Sequence, residues 1–502
     1  MIQLRERLKG KAAQEIVDLL FAPSIERDGK NIFEIMLDVD IVHVLMLGKT
    51  GILEQGTVSG IVSGLVKIKN EGFSAISVDP TIEDLHYNIE KTLIDRLGMD
   101  TGGRMHTARS RNDLGVTCSR IWLREKCIQT MKVLNNFRNT VLRCAEEHHG
   151  TVMTIYTHSQ PAQPVTFGYY LSGAASSLER DFERLRNAYT HINQCPLGGG
   201  AIAGTAFPLD REFTSGLLGF DGVLMNAIDA VASRDYVMET LSALAIMMTE
   251  ISRFAQDLYM WSTYEFNLLE LDDSIAGTSS IMPQKKNPIT LEHIKGKAAH
   301  TFAALISAMS VLKNAPFSHT RDVSQETLHL AADSFQETKS ALVLFSVTLE
   351  TIKANKEVMI QKARENFSTM TELADALVMD FGLSFRQAHQ IVGILVSDLA
   401  EKNLSAMHIT AESLGDAAIS VLGKRLDISE DRLQHILDPS LAVLRHNVKG
   451  GTSPEEVKKS IALLEKTLLE DEKFITGSEE KLDAAKKQMN ALIEAVRFGG
   501  RG

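Results

Sequence analysis

Four segments in the middle of the chain place apolar or small residues at alternating steps of four and three. The first runs Leu123, Cys127, Thr130, Leu134, Phe137, Val141, Cys144, and the second Val237, Leu241, Leu244, Met248, Ile251, Ala255, Leu258. The third runs Leu291, Ile294, Ala298, Thr301, Leu305, Ala308, Leu312, and the fourth includes Phe335, Leu342, Phe345, Leu349 and Ile352. A stripe of that period follows one side of an α-helix and is buried where helices pack lengthwise. Several such stripes, each three or more turns long, predict an extended bundle of long helices. No alternating run of comparable length predicts a sheet. The expected fold is therefore mainly α. Domain edges near 114 and 365 divide it into an N-terminal helical domain (1–113), a central helical bundle (114–365) and a C-terminal helical domain (366–502). Small residues within the stripes, such as Ala255, Ala298 and Ala308, suit close helix packing and association with further copies.

Composition narrows the function. With 44% hydrophobic residues in 502, the chain can bury a large core. A net charge of −11 gives no electrostatic basis for nucleic-acid binding. Cys118, Cys127, Cys144 and Cys195 have no CxxC spacing, so neither a zinc site nor a disulfide framework is expected, and no metal or cofactor is called for. No run approaches the length of a membrane span, and the opening MIQLRERLKGKAAQEIVDLL lacks the apolar core of a signal peptide. A cytoplasmic location is expected.

Four polar clusters interrupt the apolar pattern. In GGRMHTARSRND (102–113), Arg109 and Arg111 flank Ser110, and Asn112 and Asp113 follow. The arginine fork suits a carboxylate, although the run also reads as a loop capped into the next helix. YTHSQPAQPVTFG (156–168) sets Thr157 beside His158. Histidine carries protons near neutral pH, although a lone one is more often a structural hydrogen-bonder. PLGGGAIAGTAFPLDRE (196–212) is glycine-rich but has no phosphate-loop lysine ending, and reads best as a tight interhelical connection. GTSSIMPQKKNP (277–288) ends on a helix start, with Asn287 as N-cap and Pro288 at the first position. A cap does not explain why hydroxyls precede two lysines. A serine there is a base only if N–H dipoles and nearby positive charge stabilise its alkoxide. Lys285 would then stabilise an oxyanion or enolate, Asn287 would donate to the same group, and Glu292 would orient a histidine.

Taken together and in this order, the clusters resemble the argininosuccinate lyase branch of the aspartase/fumarase superfamily. HTARSRND (106–113), YTHSQPAQPVTFG, AIAGTAFPLDRE (201–212), NAIDAVASRDYVME (226–239) and SSIMPQKKNP (279–288) carry the likeness; GLSFRQAHQIVG (382–393) and GGTSPEEV (450–457) extend it toward the C-terminus. The resemblance implies a three-domain helical subunit in a homotetramer with a shared helical core, each active site drawing on three subunits. It implies elimination of fumarate from an N-substituted L-aspartate, with a small dicarboxylate as substrate. Carried over by position, Ser279 is the base with Ser280 beside it, and Lys285 and Asn287 hold the carboxylate whose charge grows. His158 is the acid or a binding group, oriented by Glu292; Thr157, Ser110, Arg111 and Asn112 bind the dicarboxylate end, and Gln284 and His319 complete the substrate contacts.

The chain departs from that pattern at particular places. The branch usually has TGSS where this chain has Gly277-Thr278-Ser279-Ser280, an Asp where it has Ile289, and Gln and Asp where it has Leu114 and Cys118. In KNAPFSHTRDVSQET (313–327), His319, Ser324 and Thr327 replace a tyrosine, a glutamine and a lysine that help hold the arginine half of the substrate. That pattern fits either argininosuccinate or another aminodicarboxylate, such as one of the ethylenediamine-disuccinate type. Two other classes are a non-catalytic protein like the lens crystallins of this branch and a sibling C–O lyase or cycloisomerase.

Overall fold

The structure, a computed structural model, describes residues 10–498. Three helices, α1 (Phe33–Lys49), α2 (Gln55–Glu71) and α3 (Leu85–Leu97), pack around Leu37, Val42, Ile61, Leu65 and Leu93. Helix α4 (Arg111–Glu147) then runs for 37 residues without a proline, about 55 Å at the α-helical rise. It starts on a capping box in which Ser110 and Asp113 satisfy each other's backbone N–H groups.

The apolar stripes fall on α4, α6 (Asp235–Trp261), α7 (Ile289–Leu312) and α8 (Ala331–Thr351), with α5 (Phe167–Ile192) lying alongside. Their inward residues share one core, in which Phe137 meets Phe345 with ring centroids 5.2 Å apart and Trp122 meets Phe335 at 6.0 Å. Each such side chain contributes roughly 1.5–3 kcal/mol by leaving water. Mainly α is the observed class. A third core gathers Leu373, Leu377, Ile391, Leu395, Leu414 and Leu433 from α9 (Met370–Phe381), α10 (Phe385–Glu401) and the short helices after them. The last helix, α11 (Pro454–Phe498), packs on the first two cores. Val457, Ile461 and Leu464 meet the central core, Met489 and Ile493 the N-terminal one, and Asp471 accepts from buried Arg138 at 2.5 Å.

Two local features differ from the sequence reading. A hairpin, β1 (Val152–Thr157) and β2 (Gln160–Thr166), stands between α4 and α5. Pro161 and Pro164 hide β2 in the sequence, because proline cannot donate to a ladder and so demotes a strand prediction. Further on, Asn287 is not a helix cap. Gly277 and Thr278 (β3) pair with Asn287 and Lys286 (β4), and Pro288 is the N-cap of α7. The ladder takes the backbone of Asn287 and moves the helix start along by one residue.

Candidate active site

Residues 277–288 form a closed loop standing on that ladder. Gly277 is needed at its foot, because a Cβ there would lie 2.5 Å from Ile289 Cγ2. Ile289 therefore braces the loop. The Ser279 hydroxyl accepts from the backbone amides of Met282 at 3.0 Å and Ile281 at 3.4 Å. Two N–H dipoles thus point at the oxygen whose negative form a base requires. The adjacent lysines diverge. Lys286 pairs with Asp273 at 2.7 Å and Glu270 at 3.2 Å, whereas Lys285 makes no ion pair among the described residues. Asn287 Nδ2 donates to Thr278 O at 3.3 Å. Ser280 and Gln284 are exposed on the same loop. Glu292, in the first turn of α7, accepts from the Tyr259 hydroxyl at 3.5 Å.

Thr157 and His158 sit at the exposed tip of the β1–β2 hairpin. His158 and Ser159 have φ of 52° and 59°, the left-handed pair of a type I′ turn normally filled by Asn and Gly. A histidine held there carries backbone strain on the order of 1 kcal/mol or more, as at sites where side-chain placement matters more than stability. Among the described residues His158 and Glu292 share no hydrogen bond or ion pair.

The remaining candidates lie at the far end of α4. A cavity of about 710 Å³ is lined there by Arg111, Asn112, Arg234, His319, Arg321 and Ser324, among others. Arg111 Nη1 donates to Asp84 at 2.5 Å and Glu83 at 3.1 Å, and its guanidinium lies 4.0 Å from the centre of the Tyr87 ring. Asn112 Nδ2 donates to Ala201 O at 2.9 Å. Ser110 spends its hydroxyl on the α4 cap, accepting from Asn112 N. Burial, followed by the guanidiniums of Arg234, Arg321 and Arg111, drives His319 down to about 4, so its imidazole is neutral. Arg234 had no role assigned from sequence, although it lies in the NAIDAVASRDYVME run. It is buried, bonds to the carbonyls of Val231 and Ser233, and makes no ion pair among the described residues. The altered positions also separate: His319 and Ser324 line the cavity, whereas Thr327 is buried and donates to Asp322 O. Leu114 and Cys118 belong to the N-terminal core.

The candidates thus form three groups within one chain: Arg111, Asn112 and His319 at the cavity; Ser279, Ser280, Gln284, Lys285 and Asn287 on the loop, with Glu292 just behind it; and Thr157 with His158 on the hairpin. The length of α4 separates the cavity group from the hairpin.

Solved enzymes share this arrangement of helices. The 3-carboxy-cis,cis-muconate lactonizing enzyme of Pseudomonas putida, 16% identical, superposes over 91% of this chain and 100% of its own with a TM-score of 0.69, a likeness of fold. An EDDS lyase crystallised with formate is nearer, with a TM-score of 0.89 and 33% identity over 98% of this chain and 97% of that one. A lyase family model matches residues 31–302, and an argininosuccinate lyase C-terminal model matches 367–443. Argininosuccinate lyase 1 of Shouchella clausii is 44% identical over 95% of this chain and 96% of its own. The argininosuccinate lyase of Methanosarcina mazei is 37% identical over 99% and 100%. The chain belongs to the argininosuccinate lyase family and is a carbon–nitrogen lyase.

Among the described residues no helix is long and apolar enough to cross a membrane.

Proposed function

We propose that the chain splits argininosuccinate reversibly into arginine and fumarate. Ser279, as the alkoxide, takes a proton from the succinyl carbon next to the carboxylate bound by Lys285 and Asn287. The electron pair moves into that carboxylate and doubles its charge. Lys285, which makes no ion pair among the described residues, supplies the compensating cation, and such fixed donors are typically worth about 10²–10³ in rate. The pair then returns to form the double bond of fumarate as the C–N bond breaks, and its electrons stay on the departing nitrogen. His158, oriented by Glu292, delivers a proton to that side. Arg111 and Asn112, with Thr157, hold the other end of the dicarboxylate. The observation that carries this reading is the Ser279 oxygen held under two amide N–H groups, on a loop whose Lys285 makes no ion pair among the described residues. Argininosuccinate as the substrate is supported by the full-length likeness to argininosuccinate lyases.

The same reading requires several copies of the chain. A rigid helix of about 55 Å keeps the hairpin from the cavity, so those two groups of residues meet only if different subunits contribute them. A homotetramer built on the central bundle is supported by Phe302, Ile306 and Met309 on α7 and by Val343 and Val347 on α8, which leave apolar rows exposed. We place the reaction in the cytoplasm, with four free cysteines as support.

Purified protein should release fumarate from argininosuccinate, seen by ultraviolet absorbance, and should run as a tetramer in light scattering. No fumarate at high enzyme concentration would exclude that substrate. A second reading keeps the chemistry and changes the amine to a diamine–succinate conjugate. His319 and Ser324 favour it, because they line the cavity where the branch has tyrosine and glutamine. Running the reaction backward with fumarate and a panel of amines separates the two.

A further inference from the structure

Ser110 is flanked by two arginines in opposite surroundings. Arg111 faces the cavity, whereas the Arg109 side chain is 0% exposed and its Nη2 donates to Asp40 of α1, also 0% exposed, at 2.5 Å. Three imidazoles pack around this pair. His86 Nε2 lies 3.5 Å from Arg109 Nη2, the His86 and His106 ring centroids are 4.8 Å apart, and His43 Nε2 contacts Thr107 O at 2.8 Å. Burial is the main cause that pushes His43 and His86 well below the usual range and His106 to about 3, so all three are uncharged at neutral pH.

A second anchor lies just beyond. The buried Asp113 carboxylate accepts from Ser110 N at 3.1 Å and Leu114 N at 3.0 Å with one oxygen, and from Gly198 N and Gly200 N at 3.0 Å each with the other. The glycine-rich connection is therefore a clamp on this carboxylate. Its shape depends on Gly200, whose φ is +61° and where a Cβ would lie 2.6 Å from Gly204 O. Between the anchors the chain is held tightly. Ala108 sits at φ 64°, a conformation that costs a non-glycine residue about 1 kcal/mol or more and persists only where surrounding contacts enforce it.

We propose that Arg109 and Asp113 are positioning residues for the reaction: the Asp40–Arg109 pair and the Asp113–glycine clamp grip residues 110–112 from both sides and set where Arg111 and Asn112 meet the substrate's carboxylate. This rests on the reading that Arg111 and Asn112 bind the dicarboxylate. A free arginine loses rotamer entropy when it is fixed. A backbone fixed in advance removes part of that cost, and errors near 1 Å in placement cost on the order of 100-fold.

The test uses the full-length assembled protein and fumarate, which is common to both substrate readings. Arg109→Lys keeps the charge and loses the planar fork; Asp113→Asn keeps the shape and loses an acceptor oxygen. The fumarate dissociation constant is measured by calorimetry, beside Tm and assembly mass. Either variant, folded and assembled, is expected to bind fumarate about 10-fold more weakly, and adding it to Arg111→Ala is expected to weaken binding by clearly less than that. A purely structural role lowers Tm and leaves the dissociation constant of the folded protein unchanged, which would overturn the proposal. So would an undiminished effect in the Arg111→Ala background. Should Arg109→Lys fail to assemble, Asp113→Asn decides the matter. If Arg111→Ala alone leaves fumarate binding unmoved, the fault lies in the dicarboxylate reading and not in the clamp.

Discussion

The two ends of the central bundle follow opposite rules. At the cavity end, the side chains assigned to binding lean on neighbours in the same chain: Arg111 on two half-buried carboxylates and a tyrosine ring, and the backbone beneath it on the buried Asp40, Arg109 and Asp113. At the loop end, among the described residues Ser279 bonds only to amides of its own loop and Lys285 has no ion-pair partner, and His158 stands at an exposed turn. One end stores its geometry inside the chain. The other presents the proposed reactive groups on an exposed loop and turn. On the proposed mechanism, substrate affinity depends on the fold of a subunit and turnover depends on assembly.

The strongest way to break this contrast is Ser279→Ala. Turnover should fall by about 10²–10⁴-fold, the usual contribution of a general base, while fumarate affinity and Tm stay at wild-type values. Arg111→Ala should lose both affinity and turnover. When the two inactive variants are unfolded and refolded together, mixed tetramers can assemble one site from undamaged parts, and fumarate release should reappear. Activity that stays absent in a mixture shown by mass to contain both chains would refute shared sites. Next in size, His319→Tyr restores the residue usual in the branch at the cavity wall, and should shift the preference between arginine and other amines by about 10-fold, since a hydroxyl is gained among buried polar groups. Identical amine profiles before and after would remove His319 from the specificity argument.

The cavity end should also fail first in acid. His43 and His86 are held well below 6.5, His106 at about 3 and His319 at about 4, chiefly by burial. Unfolded, each takes a proton near 6.5; folded, it stays neutral until much lower pH. The unfolded chain then binds more protons, so the four contribute stability above about 6.5 that is lost as pH falls toward 4 and 3. Urea midpoints measured from pH 7 to 4 should fall steadily, and His106→Gln should flatten the slope. A midpoint rising over that window would contradict the placement of these imidazoles.

What could be seen in the sequence follows from range. Steps of four and three are local, and they locate the long helices because a buried stripe needs only its own segment to be visible. Ser279 and Lys285 stand out because hydroxyls lie beside charge where a cap does not explain them, whereas His158 gained its role only from the resemblance. Long-range partners left no local signal. Nothing near Arg109 indicates that Asp40, 69 residues earlier, neutralises it, or that the glycines at 198 and 200 serve Asp113. The strand β2 was hidden by its own prolines, and Arg234 reads as one more charge until the cavity places it beside His319.

The smallest expected effect sharpens the contrast within the loop itself. Lys285 and Lys286 are adjacent and chemically identical, so only surroundings separate them. Lys286 is occupied by Glu270 and Asp273 near the foot of β4, an exposed arrangement of the kind that contributes little to stability. Lys286→Ala should therefore change turnover by no more than about threefold and leave Tm nearly unmoved. Lys285→Met removes the lysine of the Ser279 loop that has no ion-pair partner among the described residues, and should cost about 10²–10³ in kcat. Measuring both in the same assay tests the assignment: equal losses would mean that local positive charge alone matters, and a larger loss at 286 would reverse the roles of the two lysines and move the growing carboxylate charge to the other face of the loop.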